Sequence, residues 1–184
     1  MMARLKSMAA TTIAICTIVP CALLAQSKAK YVGANTCKPC HLAPKTGAAF
    51  TIWQKSLHAK AFATLATPAA LEIAKQKGIA DPQKDAACLK CHDTAAGVAA
   101  AQLASTFKPG QGVGCESCHG AGSEYKGMQV MKDIDTGKIK GETVGLVKGD
   151  EKLCLTCHNS ESPNFKGFNF AEYSKKIAHT TPKQ

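Results

Sequence analysis

The chain has 184 residues, 45% of them apolar and 20% charged, which excludes wholesale disorder and suits one domain or two small ones. Its formal charge is +10, and it carries ten cysteines and six histidines but only 5% aromatic residues. Rings usually supply much of a core's buried area, so something other than side chains is expected to fill the middle of this protein.

The first segment in chain order reads as a leader. Arg4 and Lys6 precede an uncharged stretch from Ser7 to Ser27, most apolar from Ile13 to Ala25. A basic n-region, an apolar h-region and small residues beyond it describe a secretory signal peptide. Residues 1–25 are assigned to it, with cleavage after Ala25 or, with Ser27 at the −3 position, after Ala29. Residues 26–184 then form a single domain, exported to the periplasm. The alternative is an uncleaved N-terminal membrane anchor, since the uncharged run is long enough for a tilted span. Pro20, the threonines and the small residues argue against it. Beyond the leader no segment is a transmembrane candidate.

Thr46–Ala66 reads as a helix, because Phe50, Trp53, Leu57, Ala61 and Leu65 recur at three- and four-residue steps. Thr67-Pro68 is an N-cap with proline at the first helical position, and Gly78 closes that segment. Asp81-Pro82 repeats the start signal. Phe107–Gly114 is a glycine-rich loop without the strand before it or the Lys-Ser/Thr after it that a phosphate site needs. Its glycines are expected to bring backbone close to a cofactor face. Gly137, Gly141, Gly145 and Gly149 punctuate a Lys-rich exposed loop, and Ala171–Ala178 is a short helical stretch. Strand signal is scarce throughout.

The cysteines carry the chemistry. Cys16 and Cys21 leave with the leader, and the other eight fall as Cys37-Lys38-Pro39-Cys40-His41, Cys88-Leu89-Lys90-Cys91-His92, Cys115-Glu116-Ser117-Cys118-His119 and Cys154-Leu155-Thr156-Cys157-His158. A histidine after four such pairs arises by chance on the order of one time in a million. C-x-x-C-H is the spacing of c-type haem attachment: each thiol forms a thioether with one haem vinyl group, and the adjacent histidine supplies the proximal iron ligand. Zinc ribbons use fairly regular spacing, whereas the first cysteines here lie 51, 27 and 39 residues apart. Thioredoxin-like pairs occur once in a βαβ context, and a disulfide framework has no use for the histidines. Four haem c groups are therefore expected, and four porphyrins in so short a chain are expected to form its core.

His41, His92, His119 and His158 serve as proximal ligands, leaving His58 and His179 as distal candidates. Met128 and Met131, three residues apart, are either packing or ligand residues. At most two haems can have two histidines within one chain. If Thr46–Ala66 is one helix, His58 stands roughly 18 Å along it from its start, too far to return to the haem of His41. His58 is then expected to ligate a different haem.

The chain resembles the cytochrome c554 family of periplasmic multihaem cytochromes. The resemblance rests on Tyr31-Val32-Gly33, on Trp53 before Ser56-Leu57-His58-Ala59-Lys60-Ala61, on Cys115-Glu116-Ser117-Cys118-His119-Gly120-Ala121-Gly122-Ser123, on Ser162-Pro163 and on Ile177-Ala178-His179. It implies a mostly α fold with extensive loops and closely packed haem pairs, and it supports His58 and His179 as distal ligands. Ala121 stands where the family usually has proline. The family's type member resembles a protein with three bis-His haems and one five-coordinate haem, which needs three distal histidines where this chain has two.

Electron transfer is the expected function, as a carrier or relay between periplasmic or membrane-associated redox proteins rather than as a catalyst. The alternative is a redox enzyme acting on nitric oxide, nitrite or hydroxylamine at an open haem. A polymer in which neighbours exchange distal histidines is weaker, because exchange adds none per chain. Nucleic acid is not an expected partner: Arg4 is the only arginine, and the lysines are offset by haem propionates.

Overall fold

The structure is a computed structural model and describes residues 28–180. The expected leader, residues 1–25, lies outside the described residues. Within them the chain forms short helices joined by loops: α1 (Ala34–His41), α2 (Ala49–Lys55), α3 (Ala61–Thr64), α4 (Pro68–Gln76), α5 (Ala86–His92), α6 (Cys115–His119), α7 (Met128–Asp135), α8 (Glu151–Leu155) and α9 (Phe170–Tyr173). Strands are absent among the described residues, where a single isolated bridge joins Tyr31 to Leu103. The mostly helical expectation holds. No described helix is long and apolar enough to cross a membrane.

Helices of nine residues or fewer are marginal on their own, so packing and capping must hold them. α4 shows the expected cap: the Thr67 hydroxyl accepts from the Ala70 N–H at 3.3 Å, Pro68 opens the helix, and Gly78 leaves it at φ 71°. Asp81-Pro82 does not start a helix. The Asp81 carboxylate accepts from the Gln83 N–H instead, forming a turn, and Asp85 caps α5 through the Ala87 N–H at 2.8 Å.

The single helix expected over Thr46–Ala66 is broken. α2 ends at Lys55, Ser56 is extended with φ −77° and ψ 164°, and a 3₁₀ turn, His58–Lys60, leads into α3. Leu57, counted in the apolar stripe, is 84% exposed. The Ser56 hydroxyl accepts from the Ala59 N–H at 3.4 Å, a local bond that competes with the helical ladder. After the break His58 is half-buried.

Among the described residues the buried apolar side chains are Ala29, Val32, Ala34, Phe50, Leu65, Ala74 and Tyr125, of which three are alanines. That core is thin for a chain of this size. Trp53 contributes from its edge: its ring lies 5.2 Å from Phe50 and its Nε1–H donates to the Val113 carbonyl at 2.8 Å. Trp53→Phe keeps an aromatic ring and deletes that bond. Its expected cost is about 1 kcal/mol, a fall in Tm of roughly 2–4 °C in a thermal melt followed by circular dichroism.

Candidate haem centre

Three of the four C-x-x-C-H motifs lie wholly on helices and a helical turn continues through the fourth, so residues i, i+3 and i+4 share one face. α1 and α5 end on His41 and His92, and α6 is the third motif itself. α8 carries Cys154, and the His158 N–H donates to the Cys154 carbonyl at 2.9 Å, extending the turn through the fourth motif. The Asp150 carboxylate accepts from the Leu153 N–H at 2.8 Å and starts that helix.

The motifs adjoin in pairs. α1 packs on α6, which sets the Cys37 thiol beside that of Cys115; the Cys115 thiol, then burial, raises the Cys37 pKa. On the other side, Lys90 of the second motif pairs with Glu161 beyond the fourth, and the Cys157 thiol approaches the Lys90 carbonyl at 3.9 Å. Burial, then the charge of Cys157, pushes the Cys91 thiol up to about 11. Cys118 is raised by burial first and by Cys154 second, and a Cβ at Gly149, just before α8, would stand 3.6 Å from the Cys118 Cβ, so the third motif lies beside the fourth. All eight described cysteines are unbridged. No group of three or more His, Cys, Asp or Glu among the described residues is arranged to hold a metal, as a zinc ribbon would require.

The histidines form two facing pairs. His58 lies 6.0 Å from His158, centroid to centroid, at an interplanar angle of 65°, and His119 lies 5.9 Å from His179 at 70°. A metal–imidazole bond of about 2.0 Å, with the ring centre about 1.1 Å behind its nitrogen, places two axial imidazoles roughly 6 Å apart. The separations fit an iron between each pair. The Nδ1–H groups of His92, His119 and His179 donate to the carbonyls of Ala61 at 2.8 Å, Val147 at 3.1 Å and Ile177 at 3.0 Å. A carbonyl only accepts, so these bonds fix the proton on Nδ1 and leave the Nε2 lone pair for a metal. Burial lowers the pKa of His58, helped by His158, and lowers that of His158. His41 is lowered by burial, then by His179 and His119, which places it beside their pair. Lowering favours the neutral imidazole, the form that binds iron.

Four of the six histidines in the chain are thus paired ring to ring; His41 lies beside the His119–His179 pair without a ring contact, and His92 makes no ring contact with another histidine. Met128 opens α7 and is 66% exposed, whereas Met131 is half-buried. A side chain at Gly112 would meet the His58 carbonyl at 2.5 Å, so this glycine brings its backbone against that of His58.

Two groups of residues at the site escape the sequence reasoning. Phe168 stacks on His158 at 4.6 Å and 16°, and Tyr173 stacks on Phe168 at 5.4 Å. An open cleft of about 240 Å³ lies there, lined by Cys157, His158, Phe165, Phe168 and Tyr173 among others. The available signal is density: four of the chain's ten aromatic residues fall between Phe165 and Tyr173. Glu116 is the other, buried inside the third motif with three backbone hydrogen bonds. Nothing in the sequence distinguishes it from a solvated glutamate.

Residues 36–120, which hold the first three motifs, match the family described as cytochrome c554 and c-prime. The chain is 34% identical over 152 residues to cytochrome c-554 of Nitrosomonas europaea, an alignment covering 76% of this chain and 62% of that protein. This chain belongs to the cytochrome c554 family. It is also 32% identical over 98 residues to the C-type polyheme cytochrome OmcC of Geobacter sulfurreducens, covering 47% of this chain and 12% of that protein. The chain spans less than two thirds of the length of either relative. No solved structure matches it. Membership of a cytochrome c family implies covalently bound haem c.

Proposed function

We propose that the chain is a tetrahaem c-type cytochrome relaying electrons between redox proteins in the periplasm. The observation that carries this reading is the pair of histidine couples at iron-spanning separation, set among four helical C-x-x-C-H motifs that adjoin two by two. Haem c, when bound, supplies the one-electron chemistry. The thiols of Cys37 and Cys40, Cys88 and Cys91, Cys115 and Cys118, and Cys154 and Cys157 anchor it. His41, His92, His119 and His158 are the proximal ligands, with His58 distal to His158 and His179 distal to His119. Adjacency of the first motif to the third, the third to the fourth and the fourth to the second supports a continuous path through the chain. Residues 1–25 act as the export signal and 26–184 as one domain. The excess of lysine docks acidic redox partners, and that docking weakens as salt screens it.

Intact-mass and pyridine haemochrome measurements on the purified holoprotein test the count. Four haems are expected, and fewer would overturn the reading. In EPR of the oxidised protein, two haems are expected to be low-spin with two imidazole ligands.

A second reading, a redox enzyme acting on nitric oxide, nitrite or hydroxylamine, draws on one observation: His41 and His92 make no ring contact with another histidine. Carbon monoxide added to the ferrous protein separates the two. A spectral change at one or two haems sustains the enzyme, and indifference of all four removes it. A sulfur-to-iron charge-transfer band in the oxidised protein would assign Met128 or Met131 as a ligand.

A further inference from the structure

Glu116 lies between the two cysteines of the third motif, on a helix that packs against the first motif. It is 3% exposed. Its Oε1 accepts from the Val32 N–H at 2.8 Å and the Gly122 N–H at 2.7 Å, and its Oε2 accepts from the Gly33 N–H at 2.7 Å. All three partners are backbone N–H donors directed at the carboxylate oxygens. None of the four ion pairs among the described residues includes Glu116, so backbone dipoles solvate its charge without cancelling it. Its field reaches the Cys37 and Cys115 thiols and the phenols of Tyr31 and Tyr125. Cys37 and Cys115 belong to the first and third motifs.

We infer that Glu116 is a fixed negative charge that lowers the reduction potentials of the two haems anchored at Cys37/Cys40 and Cys115/Cys118. The inference rests on the haem reading above. Ferric haem carries one more positive charge than ferrous haem, so a neighbouring anion stabilises the oxidised form. Burial keeps water from screening that interaction. Glu116 is thus a positioning residue with an electrostatic role: it staples Tyr31–Ala34 onto the third motif and sets the electron affinity of one half of the relay.

The test is a potentiometric titration of the Glu116→Gln holoprotein, with the low-spin haems resolved by EPR and four haems first verified by mass. A haem count below four in the wild-type protein counts against the haem reading, and an unchanged titration of the fully loaded variant counts against the role of Glu116. The expected result is an upward shift of two couples, with the ferrous-to-ferric ratio at fixed ambient potential rising about tenfold, or about 59 mV, while the other two stay in place. No movement, or equal movement of all four couples, would overturn the inference. Ser123→Ala is the structural control, because the Ser123 hydroxyl accepts from the Lys30 N–H at 2.8 Å and ties the same segment to the same loop without a charge. An equal shift in Ser123→Ala would also overturn it. If Glu116→Gln does not load haem, Glu116→Asp decides: it keeps the charge, so both couples must stay low, and a rise rejects the inference.

Discussion

In His58→Ala, one of the two bis-imidazole low-spin EPR signals is expected to disappear and a high-spin signal to replace it, with the haem count unchanged at four. The expectation follows from the 6.0 Å separation of His58 and His158, close to that of two imidazoles sharing one iron. In the proposed assignment the thioethers at Cys154 and Cys157 do not depend on His58, so the cofactor would stay attached while its iron lost one ligand. The newly open iron binds carbon monoxide, adding one gas-sensitive haem to whatever the wild type shows. His179→Ala is expected to do the same at the His119 centre. If His58→Ala leaves both low-spin signals intact, the His58–His158 contact is packing and the ligand assignment fails.

Gly112→Ala is expected to be among the most destabilising single-methyl changes in the chain. Gly112 has φ +77°, where an L side chain is strained by about 1 kcal/mol. The new Cβ would also stand 2.5 Å from the His58 carbonyl oxygen and 2.9 Å from that of Ala59. Both obstacles are backbone, so no side chain can rotate away, and overpacking adds about 1–3 kcal/mol. The sum corresponds to a fall in Tm of roughly 10 °C. The effect reaches the haem centre, because the His58 carbonyl accepts from the Val113 N–H at 2.9 Å and the Gly112 carbonyl accepts from both the N–H and the hydroxyl of Thr94. Displacing His58 weakens the low-spin signal of the His58–His158 centre before that of His119–His179. Gly114→Ala, with ordinary φ and nearest contacts of 3.2 Å to the Thr94 hydroxyl and 3.5 Å to Ala34, is expected to be much milder. Equal melting temperatures for the two variants would refute the steric argument.

Local physics explains why the haem motifs were legible. Two cysteines and a histidine at fixed spacing must share a helical face, and short helices do form at all four motifs. The Thr67-Pro68 cap and Gly78 depend only on neighbouring backbone and were equally readable. Where a local signal competed with a contact from afar, the sequence reading failed. The periodicity across Thr46–Ala66 was real, but Val113 takes the carbonyl of His58 and Gly112 presses against it, which favours the break at Ser56. The argument that His58 lies a helix-length from the first motif therefore lost its premise, although His58 does face a histidine other than His41.

Residue types and spacings alone determined the attachment chemistry, the number of candidate anchors, the limit of two bis-histidine centres and the absence of guanidinium groups in residues 26–184 that would suit nucleic acid. Removing Arg4 and Lys6 lowers the formal charge from +10 to +8, and all of the remaining positive charge is lysine. The tertiary structure decided which histidines meet, which motifs adjoin, and that Glu116 is buried rather than solvated. The reason is the range of the interactions. Helix winding and capping act over a few residues, whereas Glu116 meets Val32 and Gly33 across more than 80 residues of chain, and His58 meets His158 across 100. Contacts at that separation leave no periodicity in the sequence.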